Sequence, residues 1–447
     1  MGLAGFCPPL HQRQFMRRAG QSRVELAGTS RRTAWALNAA GILSLAACFN
    51  SGAADAQSAV TDKPGSELVP GAVIDYSPAA TRSYIGSPSL AVLPNGDYVV
   101  SHDFFGPGTS NDTTAIFRST DRGNSWKKVA DVQGQWWSTL FVHRAALYLL
   151  GTSREYGDVV IRRSNNGGET WTTPTNSATG RLRVDGQYHC APTPILEHSG
   201  RLWRGFERRE PPVGWGVNFR AGMISAPVDA DLLDSAKWTF SNFLSGNTNW
   251  LNGGFGGWLE GNAVATRDGQ ILDILRVDTP GLPEKAAIAN ISADGRLAHF
   301  DTQRGFIDFP GGAKKFTIRY DAKRDCYWSL ATVAVLPRPN SGSRRRPATL
   351  RNILAMTSSS DLAHWTVRRI VLSHSDSSTH GFQYVDWLFD GEDLIAVCRS
   401  AFDDTRGGAH NYHDANFLTF HRFTGFRASA QTSYAPLDQT QAEPGKH

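Results

Sequence analysis

The 447-residue sequence predicts an all-β chain folded as a β-propeller, and three observations carry that expectation. With 40% hydrophobic and 11% aromatic residues it can bury a large core, yet it favours Gly, Trp, Phe, Ser and Thr over the Ala, Glu, Lys and Leu of helical bundles. An octapeptide, Ser119 to Trp126, recurs at Ser164 to Trp171 and, shortened, at Ser359 to Trp365. A unit of strand, Gly/Asn/Asp turn and strand recurs roughly every 45 to 70 residues, the spacing of propeller blades.

In chain order, residues 1 to 56 read as a targeting segment. Arginines ending in Ser30-Arg31-Arg32 precede an apolar run from Thr33 to Ala47, too short for the roughly 20 residues of a spanning helix. Ala54-Asp55-Ala56 offers a small-x-small cleavage site, and Leu45 to Cys48 a lipoprotein box in which Cys48 would be acylated. The chain is therefore expected to be secreted or periplasmic, with no membrane span. Residues 1 to 56 carry six arginines against Glu25 and Asp55, a net +4 of the total +5, so the remainder is nearly neutral and nucleic acid is excluded as a partner. Cys190, Cys326 and Cys398 form neither a disulfide framework nor a zinc site.

A single propeller domain is expected over residues 66 to 430, with a tail over 431 to 447. Six hairpins are legible in it: Pro88 to His102, Trp137 to Thr152, Ala191 to Glu207, Glu260 to Arg276, Lys315 to Ala331 and Gln383 to Arg399. An irregular seventh blade shared between the termini stays open. If corresponding strands radiate from one axis, the residues six to eight places past the turn glycines share a rim: His102, Glu207, Arg276 and Arg399. The starts of the inner strands add His189, Trp258, Glu260, Asn262, Tyr384 and Asp386. These polar types suit an acidic substrate.

Individual segments sharpen this. Arg276 and Arg399 sit in apolar strings, where a guanidinium is costly to bury without an anion, so each serves either anion recognition or a structural carboxylate. The run Arg204 to Glu210, with Glu207 inside it, is most simply a solvated face whose alternation turns some side chains inward. The cluster His410 to Asn416 is a weak ligand set, and no metal site is assigned.

The S-x-D-x-G-x-x-W octapeptide resembles the Asp-box of the sialidase-like propellers. It staples a turn and does no chemistry, which leaves Asp121, Asn166 and Asp361 outside any active site. Further segments, Ile85 to Leu90, Ser101 to Gly106, Tyr188 to Pro192, Trp258 to Asn262, Phe309 to Phe316 and His410 to Asn416, resemble the L-rhamnose-α-1,4-D-glucuronate lyases and related α-L-rhamnosidases. The resemblance implies removal of terminal rhamnose from glucuronic acid on arabinogalactan-type glycans, with His102 as the main catalytic residue and His189 and Tyr384 in reserve.

For β-elimination the uronate carboxylate must be masked before the C5 proton is removed, a task suited to Arg276 and Arg399. Arg204, Glu207, Trp258, Glu260, Asn262 and His410 complete the expected substrate-binding set. No cofactor is required; structural calcium on the axis is compatible with the fold, without a loop motif to support it. A hydrolase would need a carboxyl pair such as Glu207 and Glu260. A sialidase lacks its Arg-Ile-Pro signature here, where Arg82-Ser83-Tyr84 stands instead. A carbohydrate-binding propeller without turnover would use Trp136, Trp137, Trp250 and Trp258 as stacking platforms.

Overall fold

The computed structural model describes residues 68–211, 215–335 and 345–427. The targeting segment, Cys48 and the tail lie outside the described residues. Six antiparallel sheets follow one another along the chain as the blades of a propeller. From the axis outward, the first blade is Ser89–Val92, Tyr98–Phe105, Thr113–Ser119 and Lys127–Gln133, and the second is Trp136–His143, Ala146–Thr152, Val159–Ser164 and Arg181–Arg183. The third sets Gln187–His189 and Leu196–His198 on Arg201–Arg209, then Phe219–Pro227 and Thr239–Phe240. The fourth begins Trp258–Ala265, Ile271–Val277 and Lys285–Ile291; the fifth is Phe316–Asp321, Cys326–Thr332, Ile353–Ser359 and Thr366–Ser373. The inner pair of every blade coincides with one of the six hairpins read from the turn chemistry.

No seventh blade forms among the described residues. The termini instead share the sixth, in which Gly381–Asp390, Asp393–Ala401 and Phe417–Phe423 are completed by Ala72–Tyr76, paired from Ala72 opposite Phe420 to Tyr76 opposite Phe417. The ring therefore closes through backbone hydrogen bonds between the two ends of the domain.

The octapeptides occupy the turns after the third strands. In the first, Ser119 Oγ donates to Asp121 (2.8 Å), Asp121 accepts from the Ser125 amide (2.9 Å), and Trp126 Nε1 donates back to the Gly123 carbonyl (3.1 Å). Asn166 and Asp361 make the corresponding bonds in the other two copies. Gly123 and Gly168 have φ of +94° and +97°, where a left-handed backbone favours glycine; Leu362 takes that place in the third copy at +66° and is buried in the core between the fourth and fifth blades.

Apolar clusters fill the wedges between blades, as with Leu90, Val100, Phe117, Ile395, Val397 and Phe420 between the first and sixth. Around the axis the inner strands are joined by side chains. Asp386 accepts from Ser89 Oγ (3.0 Å) and the Leu90 amide (2.9 Å), and Ser89 Oγ accepts from the Leu140 amide (3.0 Å). Thr139 donates to the Thr193 carbonyl (2.9 Å), Glu207 accepts from the Gly261 amide (3.2 Å), Asn262 brackets Phe316 and Ile318, and Thr317 donates to the Val385 carbonyl (2.7 Å). Each blade is thus pinned to the next by a buried polar group.

Asp386 is 2% exposed and also receives Arg319 (3.1 Å). Asp386→Ala leaves three donors, Ser89 Oγ and the Leu90 and Trp387 amides, and the Arg319 guanidinium without this acceptor, and is expected to cost about 3–5 kcal/mol. Urea unfolding should show this as a lower midpoint at unchanged slope.

Candidate active site

Three inner strands break register at the same level. The pairing skips between Trp136 and Thr139 in the second blade, Leu259 and Asn262 in the fourth, and Gln383 and Asp386 in the sixth. The residue at each bulge is left-handed and is not a glycine: Trp137 (φ +50°), Glu260 (+60°) and Tyr384 (+54°). Such backbone costs roughly 1–3 kcal/mol per residue and persists only where its surroundings hold it. All three residues line one cavity of about 310 Å³, at the end of the axis where the inner strands begin. This is within the range of about 300–1,000 Å³ typical of small-molecule sites. A larger groove of about 800 Å³ opens among the turns at the other end of the inner strands, where Arg267 pairs with Asp325 and Arg319 with Asp386.

One side of the cavity carries Arg399, and Arg351, off the lining, lies against the same Tyr384 ring. The Arg399 and Arg351 guanidinium carbons lie 4.8 and 5.7 Å from the Tyr384 ring centroid, and Arg399 also covers Phe105 at 4.3 Å. Both arginines are buried, at 3% and 5% exposure, and neither makes an ion pair among the described residues. Arg399 donates to the His413 carbonyl, and its Nε has no partner. Arg351 donates to Gln383 Oε1 and the Ala348 carbonyl. Burial pushes Arg399 down to about 10, a sign of how poorly its charge is compensated. His413, also on the lining, is pushed down to about 3 by burial and by Arg399, and is neutral.

The other side is aromatic, formed by Trp136, Trp137, Tyr156 and Trp215. Between the two sides stand the proton-handling groups. Asp103 is 1% exposed and accepts from Thr114 Oγ1 (3.0 Å) and the Trp137 amide (2.9 Å); burial outweighs these bonds and raises its carboxyl to about 7. His189 stacks on Phe219 and holds Glu207 through Nδ1 (2.8 Å). A carboxylate at Nδ1 fixes the proton there and leaves the Nε2 lone pair available. Glu260 is desolvated, but Arg276 at 3.0 Å offsets this and holds its carboxyl below the ordinary range.

The structure brings His189, Glu260, Tyr384 and Arg399 onto one cavity. Glu207 lies directly behind His189. Arg276 is also behind the wall, bonded to Glu260 and the Ala313 carbonyl, which corrects its expected role: a structural carboxylate already holds it. Arg204 donates to the carbonyls of Leu150, Ala191 and Trp137 and supports the bulge without lining the cavity. Asn262 joins the fourth blade to the fifth. Trp258 packs among Trp250, Phe255 and Phe300 with Nε1 on the Phe219 carbonyl, and His410 is exposed, bonded to Asp414. These three do not line the site.

His102 is the principal correction. Ser89, Asn262 and Asp386 pair with Ser101, Ile274 and Val397, and two residues further on come Asp103, Arg276 and Arg399. The equivalent position is Asp103, and a shift of one residue turns a side chain to the other face of the sheet. His102 is fully buried between Phe104 and Phe117, with Nε2 on Asp75 (2.9 Å) and Nδ1 at the Asp103 carbonyl (2.9 Å). It fastens the closing strand. Asp103, Arg351, Tyr156 and Trp215 were not singled out from the sequence. His102→Ala should accordingly lose about 2–4 kcal/mol of stability in denaturant unfolding, through a cavity and the lost bond to Asp75, while ligand affinity of the folded protein stays within about twofold.

No family model and no curated protein matches the chain. Among solved structures it is similar to a Dyadobacter fermentans protein of unknown function (12% identity, 79% of this chain and 97% of that one, TM-score 0.52). It is similar also to a Hadza microbial sialidase (12%, 79% and 68%, 0.52) and to the leech intramolecular trans-sialidase (12%, 81% and 71%, 0.52). At this identity the likeness is one of fold: the chain is a sialidase-like six-bladed propeller.

Proposed function

We propose that the chain is a carbohydrate-active enzyme that cleaves the glycosidic bond of an acidic sugar, and specifically a lyase that releases terminal L-rhamnose from D-glucuronic acid on arabinogalactan-type glycans. The observation that carries the acidic substrate is Arg399, a buried guanidinium on the cavity lining without a carboxylate of its own, reinforced by the buried Arg351 beside the same Tyr384 ring. A bound carboxylate completes them.

In this reading the uronate carboxylate sits against Arg399 and Arg351, which withdraw charge and acidify C5. His189 Nε2 takes the C5 proton, the electron pair left on C5 forms the C4=C5 double bond, and the C4–O4 bond breaks. Asp103, protonated in its buried setting, gives its proton to O4 as rhamnose leaves. Water then takes the extra proton from His189 and reprotonates Asp103, which restores both groups. Tyr384 lies against the same carboxylate site. Export through the N-terminal segment, with or without a lipid on Cys48, would bring the enzyme to such glycans.

A second reading, hydrolysis of the same linkage or of a sialoside, is favoured by Tyr384 itself. A phenol held at positive φ beside two guanidiniums suits a nucleophile, and two of the structural neighbours are named as a sialidase and a trans-sialidase.

Incubation with a rhamnose-capped glucuronate oligosaccharide separates these. Free rhamnose with the ultraviolet absorbance of a 4,5-unsaturated uronate is the expected result; new reducing ends without that absorbance mean hydrolysis, and binding without product means a lectin. Asp103→Asn should lower kcat by about 10²–10⁴-fold. Because the acid works protonated, wild-type kcat should fall as pH rises through about 7, and that limb should be absent from the variant. The same raised carboxyl stabilises the fold below its unfolded value, and this contribution is lost as pH rises through about 7.

A further inference from the structure

The bulges that carry the site are each gripped by an ionisable side chain of the preceding blade. Asp103 of the first blade accepts from the Trp137 amide (2.9 Å), and Glu207 of the third accepts from the Gly261 amide, one residue past Glu260 (3.2 Å). The sixth-blade bulge presents a carbonyl instead of an amide, and its grip has the opposite sign. Val385, one residue past Tyr384, falls in the register break and cannot use its carbonyl in the ladder. That oxygen accepts from Lys315 Nζ (2.7 Å) and from Thr317 Oγ1 (2.7 Å), while Lys315 also donates to Thr317 Oγ1 (2.7 Å).

Lys315 is 2% exposed and has no salt-bridge partner among the described residues, so the fold keeps a costly ammonium on the axis. Burial lowers it to about 8; Asp386 and Glu260 draw it up again, Arg319 opposes it, and the Cys398 thiol also faces it.

We infer that Lys315 is a positioning residue, whose ammonium turns the Val385 carbonyl out of the sheet and thereby fixes Tyr384 at positive φ between Arg399 and Arg351. The grip follows from geometry alone; its consequence for turnover rests on the proposed acidic-glycan activity.

Lys315→Met keeps the length of the side chain and removes the charge and donor. Its kcat on the rhamnose-capped substrate should fall by between about ten- and a hundredfold, with KM within about threefold, as expected when a group that aligns the bound uronate for reaction is displaced. Its melting temperature should be retained or raised, because an apolar group replaces a buried ammonium. Lys315→Gln, which donates to Val385 without charge, should recover part of kcat. In a crystal structure of Lys315→Met, Tyr384 should leave positive φ. A lower melting temperature with unchanged kcat would make Lys315 merely structural, and an unmoved Tyr384 would overturn the inference whatever the activity. Should Lys315→Met fail to fold, Lys315→Gln with Val385 and Tyr384 displaced from their wild-type positions overturns it. A wild-type protein inert on every acid-capped glycan sinks the functional reading alone, and the crystal structure still decides the grip.

Discussion

The structure depends on buried polar side chains that join one inner strand to the next around the axis. Neighbouring blades share no backbone ladder there, so their relative positions rest on apolar wedges, which are non-directional, and on hydrogen bonds from Ser89, Thr139, Glu207, Asn262, Thr317 and Asp386, which are directional. Those bonds set the height of each strand to within the length of a hydrogen bond. Only with the heights fixed do the bulges of the second, fourth and sixth blades face one another, and only then do Trp137, Glu260 and Tyr384 share a cavity.

Strain and charge are concentrated in the same place. Left-handed non-glycine backbone, uncompensated guanidiniums and a carboxyl raised to about 7 are each unfavourable for folding, and all lie within one shell of residues. The rest of the propeller offsets them with continuous ladders, filled wedges and Asp-box turns. Such a distribution is characteristic of a site organised for a ligand before the ligand arrives. The two sides of the cavity also suggest an orientation: a carboxylate toward Arg399, an apolar sugar face toward Trp137, Tyr156 and Trp215.

Much of the architecture was legible in the sequence because its signals are local. Turn glycines and alternating strands identify all six hairpins, and the Ser, Asp, Gly and Trp of each octapeptide make bonds within the same turn. The seventh blade left open by the sequence does not form among the described residues, for a non-local reason: the strand at Ala72–Tyr76 adds to the last sheet, and no pattern within either segment announces the pairing. The site was half legible. His189, Glu260, Tyr384 and Arg399 stand where inner strands begin or second strands end. Counting from the turn glycine reaches His102 where the register places Asp103, because alternation yields two candidate faces and the bulges that set the register have no clear sequence mark. Arg351 follows a short 3-10 turn at Pro347–Thr349, outside every repeat, and only the fold carries it to Tyr384.

The central claim is that Arg399 and Arg351 await a carboxylate. Calorimetric titration of D-glucuronate and of its methyl ester into the wild-type protein and Arg399→Gln tests it most directly. The acid should bind the wild type at least about tenfold more tightly than the ester, the equivalent of one charge-assisted hydrogen bond, and the difference should collapse in the variant. Equal affinity of the wild type for both ligands would contradict the account.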